Sequence, residues 1–474
     1  MHQYITNIMS TSFSALGVGG FTTTEEQILN PSEYNPFSPI EYDQETEKLL
    51  AADIYPQSEQ SGKNGVPFHF ILPADPTRFT NLRKIKFAGE LRVWNSTKNA
   101  VPTDDEDWSV INNYQQSLIS QVNCKINDQE INDPARLTYA YRTFIETLLN
   151  YTDSYKRDKL KTSGWCEDEP YVGKEKFSSK ATTGEGKEAT VNKDFNQACL
   201  DRRSGISGGE WKEFDLLLHH DVLTSIRNLP PGYRMEFTFN RTDDKFLFLQ
   251  PKTNTDQYTI ELRRVHIKME RREVADRILK AYTSQALGKI AHLPLTRNFV
   301  RTYPLLKGQT DLSRYNFINA DVFPETMMIG FVSQAAYDGG VHLNPYYFDY
   351  IPLHQASLMI NSVHEPQPPL NTTIPANKKI SVFHYFSETT GGSQRDSICN
   401  TVNFDKFYGG YHLIPFDLTP NRDNRAKRQK MGGGTITINI QAEKGLKENM
   451  VAIVYTSYSS SIELKGSEVF TRTF

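Results

Sequence analysis

Two short patterns in this sequence combine residue types that could do chemistry. The first, Gly205–Gly209 (GISGG), fits the Gly-x-Ser-x-Gly pattern of a nucleophilic serine. That motif requires a buried strand that turns sharply into a helix and exposes the serine hydroxyl. Here the pentapeptide follows Asp201-Arg202-Arg203-Ser204 in a polar stretch with no apolar strand before it. A hydrolase is therefore not indicated, and the ordinary interpretation is a loop.

The second pattern is His219-His220-Asp221. On a strand, His219 and Asp221 would share one face, as two ligands of a facial iron triad do, and His266 is a candidate third ligand. A jelly-roll metal-dependent oxygenase is therefore one alternative function. The length of the chain and the missing 2-oxoacid-binding pattern speak against it, and polar residues at the end of a surface strand explain the same residues.

Other clusters have plain explanations. The acidic run Asp104–Asp107 lacks the spaced oxygen ligands of a calcium loop and predicts a solvated turn. Gly17–Gly20 has neither the preceding strand nor the following Lys-Ser/Thr of a phosphate loop.

The aromatic run Tyr346–Phe348 weakly suggests a carbohydrate- or receptor-binding β-sandwich, a second alternative. We assign no catalytic, cofactor-binding or metal-binding residue and expect no cofactor and no enzymatic activity.

One basic run stands out, at Arg422, Arg425, Lys427, Arg428 and Lys430. It is followed by Gly432-Gly433-Gly434, which favours a flexible, exposed hairpin loop. Nuclear targeting, or contact with an acidic partner, is the secondary hypothesis.

Length and composition restrict the class of protein. A chain of 474 residues is too long for one ordinary core, so two domains are expected. The net charge of −3 argues against a protein whose main task is coating nucleic acid. Four widely separated cysteines predict free thiols in a reducing compartment. No apolar run approaches the length of a membrane span, and the first 20 residues lack the pattern of a signal peptide, so we expect a soluble, intracellular product.

A strand hairpin followed by a helix organises the first half. Val122, Cys124 and Ile126 alternate with polar residues, as in a half-buried strand, and Asn127-Asp128 predicts a tight turn. The period then changes to that of a helix, whose apolar stripe is formed by Tyr141, Phe144, Ile145, Leu148 and Leu149.

Strand signals fill most of the remaining chain, among them Lys245–Leu249, Lys379–Phe386, Met450–Tyr455 and Ser461–Leu464. They fall into two sets separated by a predicted helix at Ala275–Leu287, and the change of parity in Thr259–Met269 predicts a bulge near Arg263-Arg264. Lys161–Trp211 is read as a surface loop between strands. The fold class is therefore all-β: two tandem antiparallel jelly-roll sandwiches with short helices in connecting segments. We expect an N-terminal arm (1–60), a first jelly roll (61–290, long loop 161–211) and a second (291–474, long loop 387–411).

Several segments, in order, resemble one known family. SLISQVNCKINDQEI followed by TYAYRTFIETLLNY is similar to the first-domain signature of major capsid proteins of Maverick/Polinton elements and the related adintoviruses. In the second half, MMIGFVSQAAYDGGVHLNPYYFDYIPLHQASLMINS, YGGYHLIPFDLTP and NMVAIVYTSYSSSIEL have counterparts too. The resemblance covers the chain from about Val110 to its end.

The resemblance implies a structural role. It predicts a double jelly roll of the adenovirus-hexon lineage, whose homotrimers form pseudo-hexagonal capsomers that tile an icosahedral shell. The implied partners are the chain itself, neighbouring capsomers, and a penton or minor capsid protein. The charge and hydropathy described above add the expectation of no strong direct nucleic-acid binding and no membrane span. The implied location is the virion capsid, after synthesis in the host cytoplasm, with the nucleus as one site of assembly. Long loops, Lys161–Trp211 and Thr389–Tyr408, would crown the outer surface, and the helix that contains Tyr141 and Phe144 would flank the first jelly roll.

Overall fold

The computed structural model describes residues 46–57, 66–103, 106–131, 138–170, 172–183, 190–286, 288–373, 380–390, 401–420 and 431–473. Apart from Thr46, these residues belong to one compact unit, Glu47–Phe474. Within it, four antiparallel sheets of four or five strands form two sandwiches that follow each other along the chain.

The first sandwich packs a five-stranded sheet against a four-stranded one. The larger sheet contains β1 (Thr46–Ile54), β3 (Phe79–Thr80), β4 (Lys86–Asn95), β10 (Lys212–Leu217) and β13 (Tyr258–Val274), in the order β1-β13-β4-β10 with β3 beside β13. The smaller sheet contains β2 (Phe68–Leu72), β6 (Ile119–Ile126), β7 (Gln129–Glu130) and β11 (Met235–Arg241), in the order β2-β11-β6-β7. Phe87 of β4 joins the two layers, with ring centroids 6.3 Å from Phe70 and 4.9 Å from Phe239.

The second sandwich repeats this plan. One sheet contains β14 (Ala291–Leu305), β16 (Thr326–Ser333), β19 (Leu413–Asp417), β21 (Met450–Lys465) and β22 (Glu468–Thr473), in the order β14-β21-β16-β19 with β22 beside β21. The other contains β15 (Arg314–Ala320), β17 (Leu353–Ile360), β18 (Val363–Leu370) and β20 (Gly434–Ala442), in the order β15-β20-β17-β18. In β20, Ile436, Ile438 and Ile440 are fully buried, as their alternation with polar residues predicts.

Short elements connect these sheets. Two small ladders pair β5 (Ser109–Val110) with β12 (Phe248–Leu249) and β8 (Thr182–Thr183) with β9 (Thr190–Val191). The α-helices are α1 (Tyr114–Ser117), α2 (Thr138–Asn150), α3 (Asp153–Tyr155), α4 (Gln197–Ser204), α5 (Asp244–Leu247), α6 (Asp276–Ala286), α7 (Gln334–Tyr337), α8 (Ile380–Thr389) and α9 (Phe404–Tyr408). Leu82–Lys84 and Asp221–Thr224 form 3-10 helices, and Lys156–Leu160 forms a π-helix.

The predicted fold class is confirmed: the chain is all-β, with two tandem antiparallel sandwiches and short helices in the connections. The predicted hairpin is present, since β6 pairs with β7 and Asn127 takes the positive φ of 51° that the turn requires. The predicted bulge is present as well. The register of β13 on β4 shifts between Arg263 and His266, and Arg264 has φ 50°. Because of this shift, Ile260 and Ile267, which differ in parity, are both buried.

Three expectations about single elements are wrong. Lys379–Phe386, predicted as a strand, forms helix α8 from Ile380, because Val382 and Phe386 make a buried helical stripe. Most of Lys245–Leu249 forms α5 and not a strand. The strands expected at Met450–Tyr455 and Ser461–Leu464 are one continuous strand, β21.

The two segments predicted as irregular contain ordered structure. Within residues 1–60, β1 forms an edge strand of the first sheet, beside β13. Within Lys161–Trp211, helix α4 forms and Trp165, Phe177 and Cys199 are buried. The second segment is therefore more than the surface excursion that its sparse apolar residues predict, because buried polar contacts fix it to the rest of the chain.

Candidate functional site

Helix α2 lies at the centre of the molecule, between the two sandwiches. Twelve of its thirteen residues, Thr138 to Leu149, are buried. The ring of Phe144 stacks on that of Tyr346 with centroids 4.2 Å apart, and the Tyr141 hydroxyl donates a hydrogen bond to the carbonyl of Pro345 (3.1 Å). The expectation that this helix flanks the first sandwich is therefore wrong, since both sandwiches enclose it.

An ionic network surrounds the polar residues of α2. Arg142 Nε lies 2.8 Å from Glu146 Oε1, one turn along the helix, and Arg142 Nη1 lies 2.7 Å from Asp221 Oδ1. His219 Nδ1 lies 2.6 Å from Glu146 Oε2. The charged side chains of Arg142, Glu146 and Asp221 are at most 8% exposed, so each requires the others as partners.

The network connects the first sandwich to the second. Asn298, on β14, donates from its side chain to Glu146 Oε1 (2.6 Å) and from its backbone N–H to Asp221 Oδ1 (3.1 Å). Arg142 Nη1 also donates to the carbonyl of Asn298 (3.2 Å). These five residues therefore fix the position of the second sandwich relative to the first. Buried polar networks can specify a single arrangement of packed elements in this way.

Electrostatics keep this network charged. Burial alone would raise the pKa of Glu146, but the charge of Arg142 and the hydrogen bonds from His219 and Arg142 outweigh it and lower that pKa to about 2. Burial also disfavours the charged form of Arg142. The carboxylates of Asp221 and Glu146 outweigh this effect and raise the pKa of Arg142 above its usual value. The salt bridge is therefore ionised throughout the physiological range.

A second buried network fixes the long segment 161–211. Asp168 Oδ1 accepts hydrogen bonds from Arg202 (2.9 Å) and Asn196 (3.1 Å), and its Oδ2 accepts one from Asn344 (2.9 Å). The Tyr411 hydroxyl donates to the backbone carbonyl of Asp168 (3.1 Å). Asn344 and Tyr411 belong to the second half of the chain, so this segment also joins the two halves.

A buried lysine ends helix α2. Lys156 Nζ donates to the carbonyl of Leu148 (2.6 Å) and to Thr401 Oγ1 (2.7 Å). Burial lowers the pKa of Lys156 to about 8, although Glu167 opposes the shift. Lys156 begins the π-helix that follows α2, and its ammonium group reaches back to a carbonyl in the last turn of α2, where helix carbonyls lack backbone donors.

The residues considered for an iron site are not brought together as ligands. His219 and Asp221 bind Glu146 and Arg142 of helix α2, as described above. His266 lies on β13, where its Nδ1 is 2.8 Å from the carbonyl of Arg264 and its ring contacts Tyr55. Among the residues that the structure describes, no group of three or more His, Cys, Asp or Glu side chains could hold a metal ion.

The other predicted patterns have structural explanations. Ser207 lies in the turn after helix α4, where its backbone N–H bonds the carbonyl of Arg203, so the strand that a nucleophile elbow needs is replaced by a helix. Of the acidic run, Glu106 accepts hydrogen bonds from Asn95 and Tyr258 and is buried, which contradicts a solvated turn. Tyr346 and Phe348 are also buried and form no exposed aromatic patch.

Three predicted features lie wholly or partly outside the described residues. They are Gly17–Gly20, Asp104-Asp105 and the basic run from Arg422 to Lys430. Of the cysteines, Cys124, Cys166 and Cys199 are free thiols, as predicted, and Cys399 is also outside this range. Burial raises the pKa of Cys199 to about 12. In the described part of the chain, no helix is long and apolar enough to cross a membrane.

Sequence reasoning missed Arg142, Glu146 and Asn298. The spacing of four between Arg142 and Glu146 was visible, but such pairs usually stabilise the exposed side of a helix. Nothing in the local sequence shows that a second sandwich covers that side.

Two buried histidines predict acid sensitivity. Burial lowers the pKa of His220 to about 4 and that of His412 to about 3, from an ordinary value of 6.5. Because the folded state favours the neutral rings, their contribution is complete above pH 6.5 and is lost as the pH falls toward 4 and then 3. We expect a stability loss on the order of 1 kcal/mol per pH unit for each ring, measured by denaturant titrations between pH 7 and 4.

A matched pair of variants tests that expectation. His412→Phe should lessen the pH dependence, whereas His384→Phe should leave it unchanged, because His384 is exposed on α8. An identical pH profile for His412→Phe and the parent protein would contradict the assignment.

No protein-family model matches the chain. A Caenorhabditis elegans protein described as uncharacterized protein F54H12.2 is 19% identical over 364 residues, which cover 75% of this chain and 80% of that protein.

Solved structures show the fold. A chain of the Sputnik virophage is similar with a TM-score of 0.59 and 10% identity, covering 97% of this chain and 93% of the other. The Faustovirus major capsid protein is similar with a TM-score of 0.53 and 8% identity, covering 100% of this chain and 98% of the other. The fold, two tandem jelly-roll sandwiches, is thus similar to that of the Sputnik virophage chain and of the Faustovirus major capsid protein.

Proposed function

We propose that this chain is a structural major capsid protein with no enzymatic activity. The observation that carries the proposal is the extent of the fold similarity, which covers 97% of this chain and 93% of a virophage chain. The two buried polar networks support it, because their charged and polar side chains bond to one another and hold the two halves of the chain together.

We further propose that three copies form a capsomer. One chain supplies two similar sandwiches, so a closed trimer presents six of them in a pseudo-hexagonal ring. The sides of such a ring remain free for smaller, more polar contacts with neighbouring capsomers in an icosahedral shell. On this proposal, residues 61–290 and 291–474 are the two jelly rolls, and residues 1–60 provide an arm that contains β1.

The lineage proposal is a Maverick/Polinton or adintovirus-like element. The ordered sequence segments support it, and a sequence relative recorded from a nematode is compatible with an element carried in animal genomes. The proposed location is the virion capsid, after synthesis in the host cytoplasm, and the proposed partners are the chain itself and a penton or minor capsid protein.

The oligomeric state tests this proposal. We expect the purified full-length chain at micromolar concentration to elute as a single species of three times the chain mass, determined by light scattering. Negative-stain images of that species should show six-lobed particles. A stable monomer at the same concentration, with no assembly at higher concentration, would reject the capsomer.

A further inference from the structure

Exposed cations are concentrated at the end of the molecule where the two sandwiches are joined. This joining end consists of residues 75–84, 225–234, 270–292 and 463–468. Its parts touch each other: the rings of Phe79 and Tyr282 lie 5.6 Å apart, and Arg227 Nη1 donates to the carbonyl of His292 (2.8 Å). At the start of β14, Ala291 pairs with Leu464, so residues 463–468 lie beside residues 270–292.

Most carboxylates of the joining end already have cationic partners. Asp75 pairs with Arg78 and Arg271, and its side chain is 9% exposed. Four other carboxylates are also within ion-pair distance of a basic side chain, namely Glu270, Glu273, Asp276 and Glu463. Glu468 is the one acidic residue of these segments that forms no ion pair with a described basic side chain.

Six cations of the joining end remain without such partners. All are exposed, and none forms an ion pair with a residue that the structure describes; they are Arg83, Lys84, Arg227, Arg277, Lys289 and Lys465. They come from five separate elements, so the surplus positive charge covers a surface and not a single turn. A net charge of −3 for the whole chain conceals this uneven distribution.

We infer that the joining end binds the phosphate backbone of nucleic acid without regard to base sequence. Exposed lysine and arginine side chains are the groups that replace the counterions of a nucleic acid, and here six of them outnumber the one unpaired carboxylate, Glu468, which lies opposite Lys465. The sequence-based expectation of no strong nucleic-acid binding was drawn from net charge, which does not report where charges lie. The contact we infer is moderate and sensitive to salt.

An anionic bilayer fits this surface less well. Helix α6 has an apolar side, but Tyr282 on that side packs against Phe79, and the exposed residues of the helix are polar or small, among them Arg277 and Lys280. Ile226 (70% exposed) and Ile290 (44% exposed) are the large exposed apolar side chains that the joining end offers. A surface that inserts into a membrane presents a broad apolar face, and two isoleucines do not form one.

The test uses the full chain and a 30-base-pair duplex DNA labelled for fluorescence anisotropy. A triple reversal, Arg83→Glu with Lys84→Glu and Arg277→Glu, removes three cations that make no described ion pair. The matched control reverses Lys307, Lys444 and Lys447, which are exposed at the other end of β14 and β21, where the backbone N–H of Gly308 bonds the carbonyl of Leu446. Both variants should keep the parent's unfolding temperature and elution volume, which separates this inference from the proposed trimer.

The parent protein should bind at 50 mM salt with an affinity that falls steeply as salt rises. The log–log slope should approach about −5 if all six cations meet phosphates. The triple reversal should weaken binding at least tenfold and reduce the slope by about 3, whereas the control should stay within twofold. Equal binding by the triple reversal and the parent would overturn the inference and assign any binding to another segment, such as the basic run Arg422–Lys430. Binding to vesicles with 30% phosphatidylserine, but not to DNA, would overturn it in favour of a membrane.

Discussion

Replacing Arg142 with methionine is expected to destabilise the protein by about 3–5 kcal/mol. The substitution keeps an unbranched apolar stem but removes the guanidinium group that pairs with the buried Glu146 and Asp221. The two carboxylates must then either take up protons or stay charged beside weaker partners, His219 for Glu146 and Arg297, 3.8 Å away, for Asp221. The measurement is a denaturant titration at pH 7, in which the midpoint should fall while the slope stays the same.

The control for this substitution is Arg157→Met. Arg157 also pairs with an acidic residue four positions away, Asp153, but its side chain is 77% exposed. Exposed pairs of this kind contribute at most about 0.5 kcal/mol. If both arginine substitutions gave the same small loss, the buried network would not hold the sandwiches together as described.

Replacing Phe144 with alanine is the second large change, with an expected loss of about 3–5 kcal/mol. Phe144 is 1% exposed and lies among the rings of Trp165, Tyr346 and Tyr411, which come from both halves of the chain. Its removal leaves a cavity in the centre of the molecule, which rigid neighbours on both sides cannot close. Unfolding followed by tryptophan fluorescence measures this loss.

Two further variants calibrate that result. Phe144→Leu retains much of the volume and should cost less than the alanine variant. Phe470→Ala removes the same side chain from an exposed position on β22 and should change stability by less than about 0.5 kcal/mol. A loss for Phe144→Ala no greater than that for Phe470→Ala would show that the helix is not packed between the sandwiches.

The sequence predicts the strands well where one face is buried and the other is polar. Ile436, Ile438 and Ile440 alternate with polar residues, and the parity change at Arg263-Arg264 locates a real bulge. Prediction fails where burial comes from distant segments. Helix α8 carries the aromatic residues typical of strands, and its helical stripe becomes evident only once α9 packs against it through Phe407.

The central site was less predictable than the fold. The apolar stripe of α2 was visible in the sequence, but the burial of its polar side was not. Arg142 and Glu146 are buried because β14, which begins about 140 residues later, covers them through Asn298. Contacts of that separation leave no periodic signal in the sequence. The resemblance to capsid proteins predicted the paired sandwiches, but it did not predict the network between them.

The burial of α2 on every side has a consequence for how the chain folds. A helix enclosed by both sandwiches reaches its full set of contacts only after the second one has formed. The first sandwich shares its core with the second half, since Phe144 stacks on Tyr346 and Arg142 donates to the carbonyl of Asn298. The second sandwich also has a separate core of its own, which contains Ile436, Ile438 and Ile440. The helix is therefore completely buried only after the second half has been synthesised, and we expect unfolding of either half to expose it. We expect the loss of the shared core to couple the unfolding of the first sandwich to that of the second.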